Sequence, residues 1–163
     1  ADFDVLWAQG EEISSFREIY DILNNEDYRE LQAGWLVMRV GNHSMRKHLF
    51  DAIGGMETRL DPEGCYADIE LGVRAWRARV PLVFCAEARA IHLSHGKSDK
   101  VIEAFTEKLA VLQEIHGMPS LGLLDDYFRK AIPGGTTIRG FSRVIAEREA
   151  EALNSAPEAG AAV

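Results

Sequence analysis

Apolar residues recur at helical spacing along much of the chain. Phe16, Ile19, Tyr20 and Leu23 fall at i, i+3, i+4 and i+7, the spacing that places side chains on one face of a helix. Ser15 opens this stretch in the form of a capping box. The first helix is therefore predicted over about 15–24. Similar patterns, closed by glycines at 54–55 and 117, predict helices around 45–53, 68–79, 98–116 and 121–131.

Other stretches are continuously apolar and predict buried strands. Residues 35–40 form such a run, and residues 82–85 form another behind Pro81. Residues 88–93 extend the second region, and residues 3–8 are interpreted as a short strand or an extended lead-in. The order of elements predicts an α/β fold, with a small mixed sheet flanked by helices.

The chain divides by composition into two parts. Residues 1–139 contain the predicted elements and are expected to form one domain. Residues 140–163 are polar and rich in Ala and Glu, and are interpreted as a helical or disordered tail.

The charge and the cysteines limit the partners and the compartment. A net charge of −8 argues against a nucleic-acid partner, because phosphate binding needs a concentrated basic surface. A phosphate-bearing ligand remains compatible with that charge if a divalent cation accompanies it. Cys65 and Cys85 are interpreted as reduced thiols of a cytosolic protein. We expect a cytoplasmic location, with any membrane association supplied by parts of the full protein outside this chain.

Four short motifs between residues 41 and 92 carry the functional signal. They are Gly41-Asn42 after the first apolar run, the Gly54-Gly55-Met56-Glu57 turn, Tyr66-Ala67-Asp68 with the helix up to Arg74, and Glu87-Ala88 with His92. This order resembles the C-terminal half of inverting GT-A glycosyltransferases. It is closest to the family 2 enzymes and the galactosyltransferase-type C-terminal module. The resemblance implies a partial GT-A-like fold, the acceptor-side half of such an enzyme.

The resemblance also implies roles for individual residues. Asp68 falls on the family's catalytic aspartate, and Gly41 and Asn42 fall on the loop that touches the donor sugar and acceptor. Arg74 matches the arginine of the following helix, a substrate-binding position, and His92 matches a histidine that ligates the metal. The family uses a nucleotide-sugar donor, a divalent cation such as Mn²⁺ or Mg²⁺, and a hydroxyl acceptor on a saccharide, lipid or protein.

The residues themselves leave alternatives open. Asp68 lies in the predicted first turn of a helix, where it fits either a general base or a simple N-terminal cap. His92 ends an apolar run and fits either a metal ligand or a hydrogen-bonded core histidine. Asp2-Phe3-Asp4 has the form of a GT-A metal motif but lacks a preceding hydrophobic strand. Ala67 stands where the family carries glutamate.

Nothing before residue 30 can supply the nucleotide-binding half that a complete GT-A enzyme needs. We therefore expect the chain to be a fragment or a separate polypeptide of a larger glycosyltransferase, in which Asp68 deprotonates the acceptor hydroxyl. The alternative is a non-catalytic module derived from the same fold that binds a saccharide or a partner chain. A weaker alternative is an unrelated small α/β domain.

Overall fold

The structure is a computed structural model that describes residues 2–10, 16–39, 41–60, 65–92 and 99–155. Helices dominate this part of the chain. Short 3₁₀ helices at Tyr28–Glu30, Gly34–Met38, Thr58–Leu60 and Pro119–Leu123 connect the α-helices. The α-helices are α1 (Phe3–Gln9), α2 (Arg17–Asn25), α3 (Lys47–Ala52), α4 (Ala67–Arg77), α5 (Asp99–His116), α6 (Leu124–Phe128) and α7 (Ile138–Ser155).

The predicted α/β fold, a partial GT-A-like fold with a small mixed sheet, is wrong, because none of the described residues forms a strand. The apolar run at 35–40 shows why. Most of it lies in the 3₁₀ helix Gly34–Met38, whose side chains are all buried. A continuous apolar run indicates burial but does not distinguish a strand from a helix. Local bonds satisfy the buried main chain here, with the Leu36 N–H donating to the Ala33 carbonyl at 3.0 Å.

Residues 81–92 form no helix and pair with no strand among the described residues, and a turn interrupts them at 86–87, so that no sheet strand forms at 82–85 or 88–92. The side chains alternate: Leu82 and Phe84 are half-buried, whereas Val83 is 87% exposed. Phe84 stacks on Tyr20 with ring centroids 4.6 Å apart. The segment therefore lies as a single strap on the helical body.

The strand or extended lead-in predicted at 3–8 is instead helix α1. The Asp2 carboxylate accepts a hydrogen bond from the Asp4 N–H at 3.0 Å and caps this helix. This capping hydrogen bond is a local structural explanation for the Asp2-Phe3-Asp4 pattern.

Amphipathic periodicity was the reliable signal. Helices α2, α4 and α5 confirm the predictions for those regions, with boundaries shifted by a few residues, whereas α3 and α6 are shorter than their patterns suggested. Gly54 and Gly55 end α3 with φ values of 98° and 70°, a conformation that glycine adopts without a Cβ penalty. Ser15, the predicted cap of the helix that became α2, lies outside the described residues.

The core forms where α4 and α7 pack on the 3₁₀ helix Gly34–Met38. Gly72 permits the closest approach, since a Cβ there would lie 2.4 Å from the Trp35 carbonyl oxygen. Trp35 meets Phe141 edge-on, with ring centroids 6.3 Å apart. The proposed boundary between 139 and 140 thus falls inside α7, whose first turns are buried at Ile138, Phe141 and Ile145.

Candidate functional site

Asp68 lies in the first turn of α4, immediately after a tight change of chain direction. Tyr66, the cap residue, adopts a left-handed conformation with φ of 64°. The Asp68 carboxylate accepts a hydrogen bond from the Ile69 N–H at 2.9 Å. It is half-buried and therefore still accessible from solvent. The start of α4 therefore holds the Asp68 carboxylate in a defined orientation, and the helix dipole favours a negative charge at this position.

The surroundings of Asp68 change its acidity. Burial raises the pKa of the Asp68 carboxyl, because the ionised form loses solvation. The N–H groups of Ile69 and of Asp68 itself, followed by the positive charges of His43 and Arg39, oppose this rise. The net result is a pKa above the ordinary 3.8, which makes the carboxylate a stronger base.

Arg39, whose charge acts on Asp68, lies over two aromatic rings. Its guanidinium carbon lies 5.8 Å from the centroid of the Tyr127 ring and 5.6 Å from that of Phe128. The Phe128 ring also stacks on Tyr66 at 6.4 Å. We call Arg39, His43, Asp68 and Phe128 the Asp68 cluster. Four separated segments supply its members.

Sequence reasoning found only one member of the Asp68 cluster. His43, which belongs to none of the motifs quoted for the resemblance, is exposed, and its charge acts on Asp68. Arg39 and Phe128 gave no signal in the sequence, because neither belongs to a recognisable motif. Only the folded chain brings them to α4.

Arg74, predicted to bind substrate, is engaged within the protein. Its Nε donates to Oε1 of Glu70 at 2.8 Å, and one terminal nitrogen donates to the Gly55 carbonyl at 2.6 Å. It also donates to the carbonyl of Ile53. Arg74 therefore ties the turn after α3 to α4.

Glu70 is the most buried acid of the described region, with 1% of its surface exposed. Burial raises its pKa, but the close imidazole of His116 and the guanidinium of Arg74 outweigh this effect, so that the net pKa is lowered. The Nε2 atom of His116 lies 3.2 Å from Oε1 of Glu70 without the alignment of a hydrogen bond. Arg77 donates to the His116 carbonyl at 2.8 Å.

Gly41 and Asn42 lie in an exposed stretch between the buried 3₁₀ helix and α3. The Asn42 side-chain amide donates to the Ala88 carbonyl at 2.6 Å and so fastens this stretch to the extended strap. His92 is exposed at the end of the strap.

The divalent cation that the resemblance implies, with His92 as a ligand, stays a prediction. Within the described ranges, no three His, Cys, Asp or Glu side chains are grouped closely enough to hold a metal ion.

Comparison with protein-family models, with curated proteins and with solved structures gives no match for this chain. The resemblance to GT-A enzymes therefore stays a prediction from four motifs. In addition, no helix among the described residues combines the length and apolar character needed to cross a bilayer.

Proposed function

We propose that the chain is the acceptor-side portion of an inverting nucleotide-sugar glycosyltransferase, with Asp68 as the general base. One observation carries the proposal: a half-buried carboxylate is fixed at the start of α4, and its pKa is raised by burial. General bases commonly have this combination of restricted orientation and increased basicity. The ordered motifs around Asp68 support the choice of sugar transfer over other base-catalysed reactions.

In the proposed reaction the acceptor hydroxyl donates a hydrogen bond to the Asp68 carboxylate. The hydroxyl oxygen attacks the anomeric carbon of the donor sugar and forms the new C–O bond while its proton passes to Asp68. The bond from the anomeric carbon to the diphosphate breaks, and the nucleoside diphosphate leaves with that electron pair. Attack opposite the leaving group inverts the anomeric configuration. The proton on Asp68 is then lost to solvent.

The neighbouring charges suit a base that must be ionised before each turnover. Positive charge at His43 and Arg39 favours the carboxylate form of Asp68 and keeps its pKa from rising further. Tyr66, two residues away, is a poor candidate for the same role, because burial raises the pKa of its phenol to about 12. At neutral pH this phenol stays protonated.

The proposal is tested with the full-length protein that contains this chain. Release of nucleoside diphosphate is measured from UDP-glucose, UDP-galactose and GDP-mannose, with methyl glycosides as acceptors and with Mn²⁺ or Mg²⁺ in the buffer. Asp68→Asn is expected to lower turnover by about 100-fold or more, since positioned bases contribute on that scale. Glu147→Gln, which changes an exposed acid on α7, should leave turnover unchanged.

The pH profile adds a second criterion. In the wild-type protein, kcat/KM should rise with pH as Asp68 ionises and then level off, and this step should be absent in Asp68→Asn. Unchanged turnover in that variant would remove Asp68 from the mechanism. Saccharide binding without any nucleotide release, in both proteins, would favour the non-catalytic module.

A further inference from the structure

The first part of the strap, residues 81–85, alternates between the helical body and the solvent. Leu82 and Phe84 are half-buried. The other three residues, Pro81, Val83 and Cys85, are exposed. This period of two is that of an extended chain, in which successive side chains point to opposite faces. Residues 81–85 therefore lie on the body as one extended segment that pairs with no other strand of the described chain.

One edge of this segment runs against the body. In an extended chain the N–H and C=O groups of one residue point to the same edge, and those of the next residue point to the opposite edge. The groups of Leu82 and Phe84 thus share an edge with those of Val80. The Val80 N–H donates to the Ala75 carbonyl at 2.9 Å, and the Val80 carbonyl accepts from the Tyr28 hydroxyl. This edge is therefore anchored to the helical body.

The opposite edge carries the main-chain groups of Pro81, Val83 and Cys85. Two of the possible six groups are not available, because proline has no N–H and the Cys85 carbonyl accepts from the Ala88 N–H at 3.1 Å. Four groups are left: the Pro81 carbonyl, both groups of Val83 and the Cys85 N–H. None of the four has a hydrogen bond to another residue that the structure describes. Such an edge is a template for a second strand.

We infer that this edge pairs with the same edge of a second copy of the chain, as two antiparallel strands centred on Val83. The two Val83 residues exchange both of their N–H···O=C bonds, and each Cys85 N–H donates to the Pro81 carbonyl of the other copy. The missing Pro81 N–H would have met the Cys85 carbonyl, which Ala88 already occupies. All four groups of each copy are satisfied, so that the edge is complementary to itself.

The charges along the segment also favour a second copy in this direction. Residues 80–85 carry no charged side chain, so that two chains of net charge −8 can approach each other there. Arg79 precedes the segment and Glu87 follows it. Antiparallel pairing brings the Arg79 end of one copy to the Glu87 end of the other, whereas parallel pairing would bring like charges together.

The side chain at the centre of the pairing is apolar and largely outside the body. Val83 is 87% exposed, and the Val83 side chains of the two copies lie opposite each other on the outer face of the two-stranded ribbon. A two-fold axis passes between them, so that the contact closes as a dimer and does not continue into a filament. The dimer does not depend on the proposed function, because none of these groups takes part in sugar transfer.

The first measurement is the oligomeric state of the 163-residue chain by sedimentation velocity. The ribbon is short, so a dissociation constant of about 100 µM is expected, and concentrations span tenfold to either side of that value. A reductant excludes disulfide-linked dimers, since Cys85 is an exposed free thiol. The proteins compared are the wild type, Val83→Lys, Val83→Thr and Val5→Lys, and thermal unfolding establishes that each variant is folded.

The wild type should pass from monomer to dimer over this range. Val83→Lys should weaken the dimer by about tenfold, because it places two like charges directly opposite each other. Val83→Thr keeps a β-branched side chain and should stay within about threefold of the wild type. Val5→Lys is the matched control, the same substitution at a valine that is 52% exposed on α1, and should leave the dissociation constant unchanged.

Amide hydrogen exchange, followed by NMR on the wild type at low and high concentration, identifies the edge. The Val83 and Cys85 amides should exchange more slowly at high concentration, whereas those of Leu82 and Phe84 should not change. Slowing at Leu82 and Phe84 instead would overturn the pairing, as would equal dimerisation of the wild type and Val83→Lys. A wild type that stays monomeric throughout would also overturn it, even if another extended chain bound to the same edge.

Discussion

The imidazole Nε2 of His116 lies 3.2 Å from Oε1 of Glu70, so that the last residue of α5 faces a buried acid in α4. Arg74, one turn beyond Glu70, donates to both oxygens of the same carboxylate. Arg74 also holds the carbonyls of Ile53 and Gly55. Three parts of the chain therefore depend on one ionised carboxylate, and the helix that carries Asp68 is fixed through it.

Arg74→Ala is expected to lower the free energy of unfolding by about 3 kcal/mol, because it leaves the charge of Glu70 buried without its main partner. The stability of Arg74→Lys should lie between that of the wild type and that of Arg74→Ala, since lysine keeps the positive charge but lacks the planar guanidinium that bonds both carboxylate oxygens. Urea denaturation followed by circular dichroism measures both variants.

The matched control for Arg74→Ala is Lys47→Ala. Lys47 and Asp51 form an ion pair of the same spacing at 2.6 Å on α3, but both side chains are largely exposed. Removing this pair should change the stability little. Similar losses for Arg74→Ala and Lys47→Ala would show that burial of Glu70 does not determine the strength of the α4 pair.

The lowered pKa of Glu70 predicts a loss of stability in acid. Its usual value is 4.5, and the value in the folded protein is lower. A depressed pKa means that ionised Glu70 stabilises the folded protein above about pH 4.5, and that this contribution is lost as the pH falls through the folded value. Glu70→Gln removes the titrating group.

At pH 7 the Glu70→Gln protein should be less stable than the wild type by about 2 kcal/mol, the scale of hydrogen bonds to a charged group. The difference should shrink as the pH is lowered below 4.5, since the wild-type carboxylate becomes protonated. Denaturant titrations across this pH range measure it. A difference that stayed constant with pH would contradict the role given to the charge.

Gly72→Ala is expected to destabilise the protein by about 2 kcal/mol, although alanine favours a helix by up to about 1 kcal/mol over glycine. The added Cβ would lie 2.4 Å from the Trp35 carbonyl oxygen and 2.9 Å from the Met38 Cβ. Gly41→Ala provides the control, because no atom lies within 4 Å of the added Cβ there. Comparable melting temperatures for the two variants would argue against the close packing of α4.

How much the sequence could predict depended on whether the signal was local. The helical faces of α2, α4 and α5 follow from side-chain spacing within each segment, and these predictions are confirmed. The strand predicted at 35–40 failed because continuous apolar character reports burial alone, and packing against Gly72 of α4 is a property of the folded chain. The prediction of a mixed sheet, which included this strand, is wrong for the same reason.

Long-range contacts gave no local signal at all. Glu18 lies three residues after Ser15, at the acidic position of the predicted capping box, and its carboxylate accepts from the N–H groups of Ile138 and Arg139, at 2.8 and 3.0 Å. It therefore stabilises the start of α7. In the Asp68 cluster, the motif identified Asp68, whereas the charges of Arg39 and His43 act on it only because the folded chain brings them near.

Asp68→Asn should make the folded protein more stable at neutral pH. Burial raises the pKa of Asp68 above its usual 3.8, so the ionised carboxylate opposes folding at pH values above the folded pKa. Asparagine carries no charge to desolvate, and its carbonyl oxygen can still accept from the Ile69 N–H. The predicted gain is largest near pH 7 and diminishes towards about pH 4, where the wild-type carboxyl takes up a proton.

Melting temperatures of the wild type and Asp68→Asn, measured over that pH range, test this prediction, with Glu147→Gln on exposed α7 surface as the control that should show no gain. If Asp68 served only as a helix cap, Asp68→Asn would make the protein less stable, because a capping hydrogen bond to a carboxylate is stronger than one to an amide oxygen. If Asp68 served in proton transfer, Asp68→Asn would instead make the protein more stable and lower its turnover. The sign of the stability change therefore separates the two interpretations of Asp68 that the sequence left open.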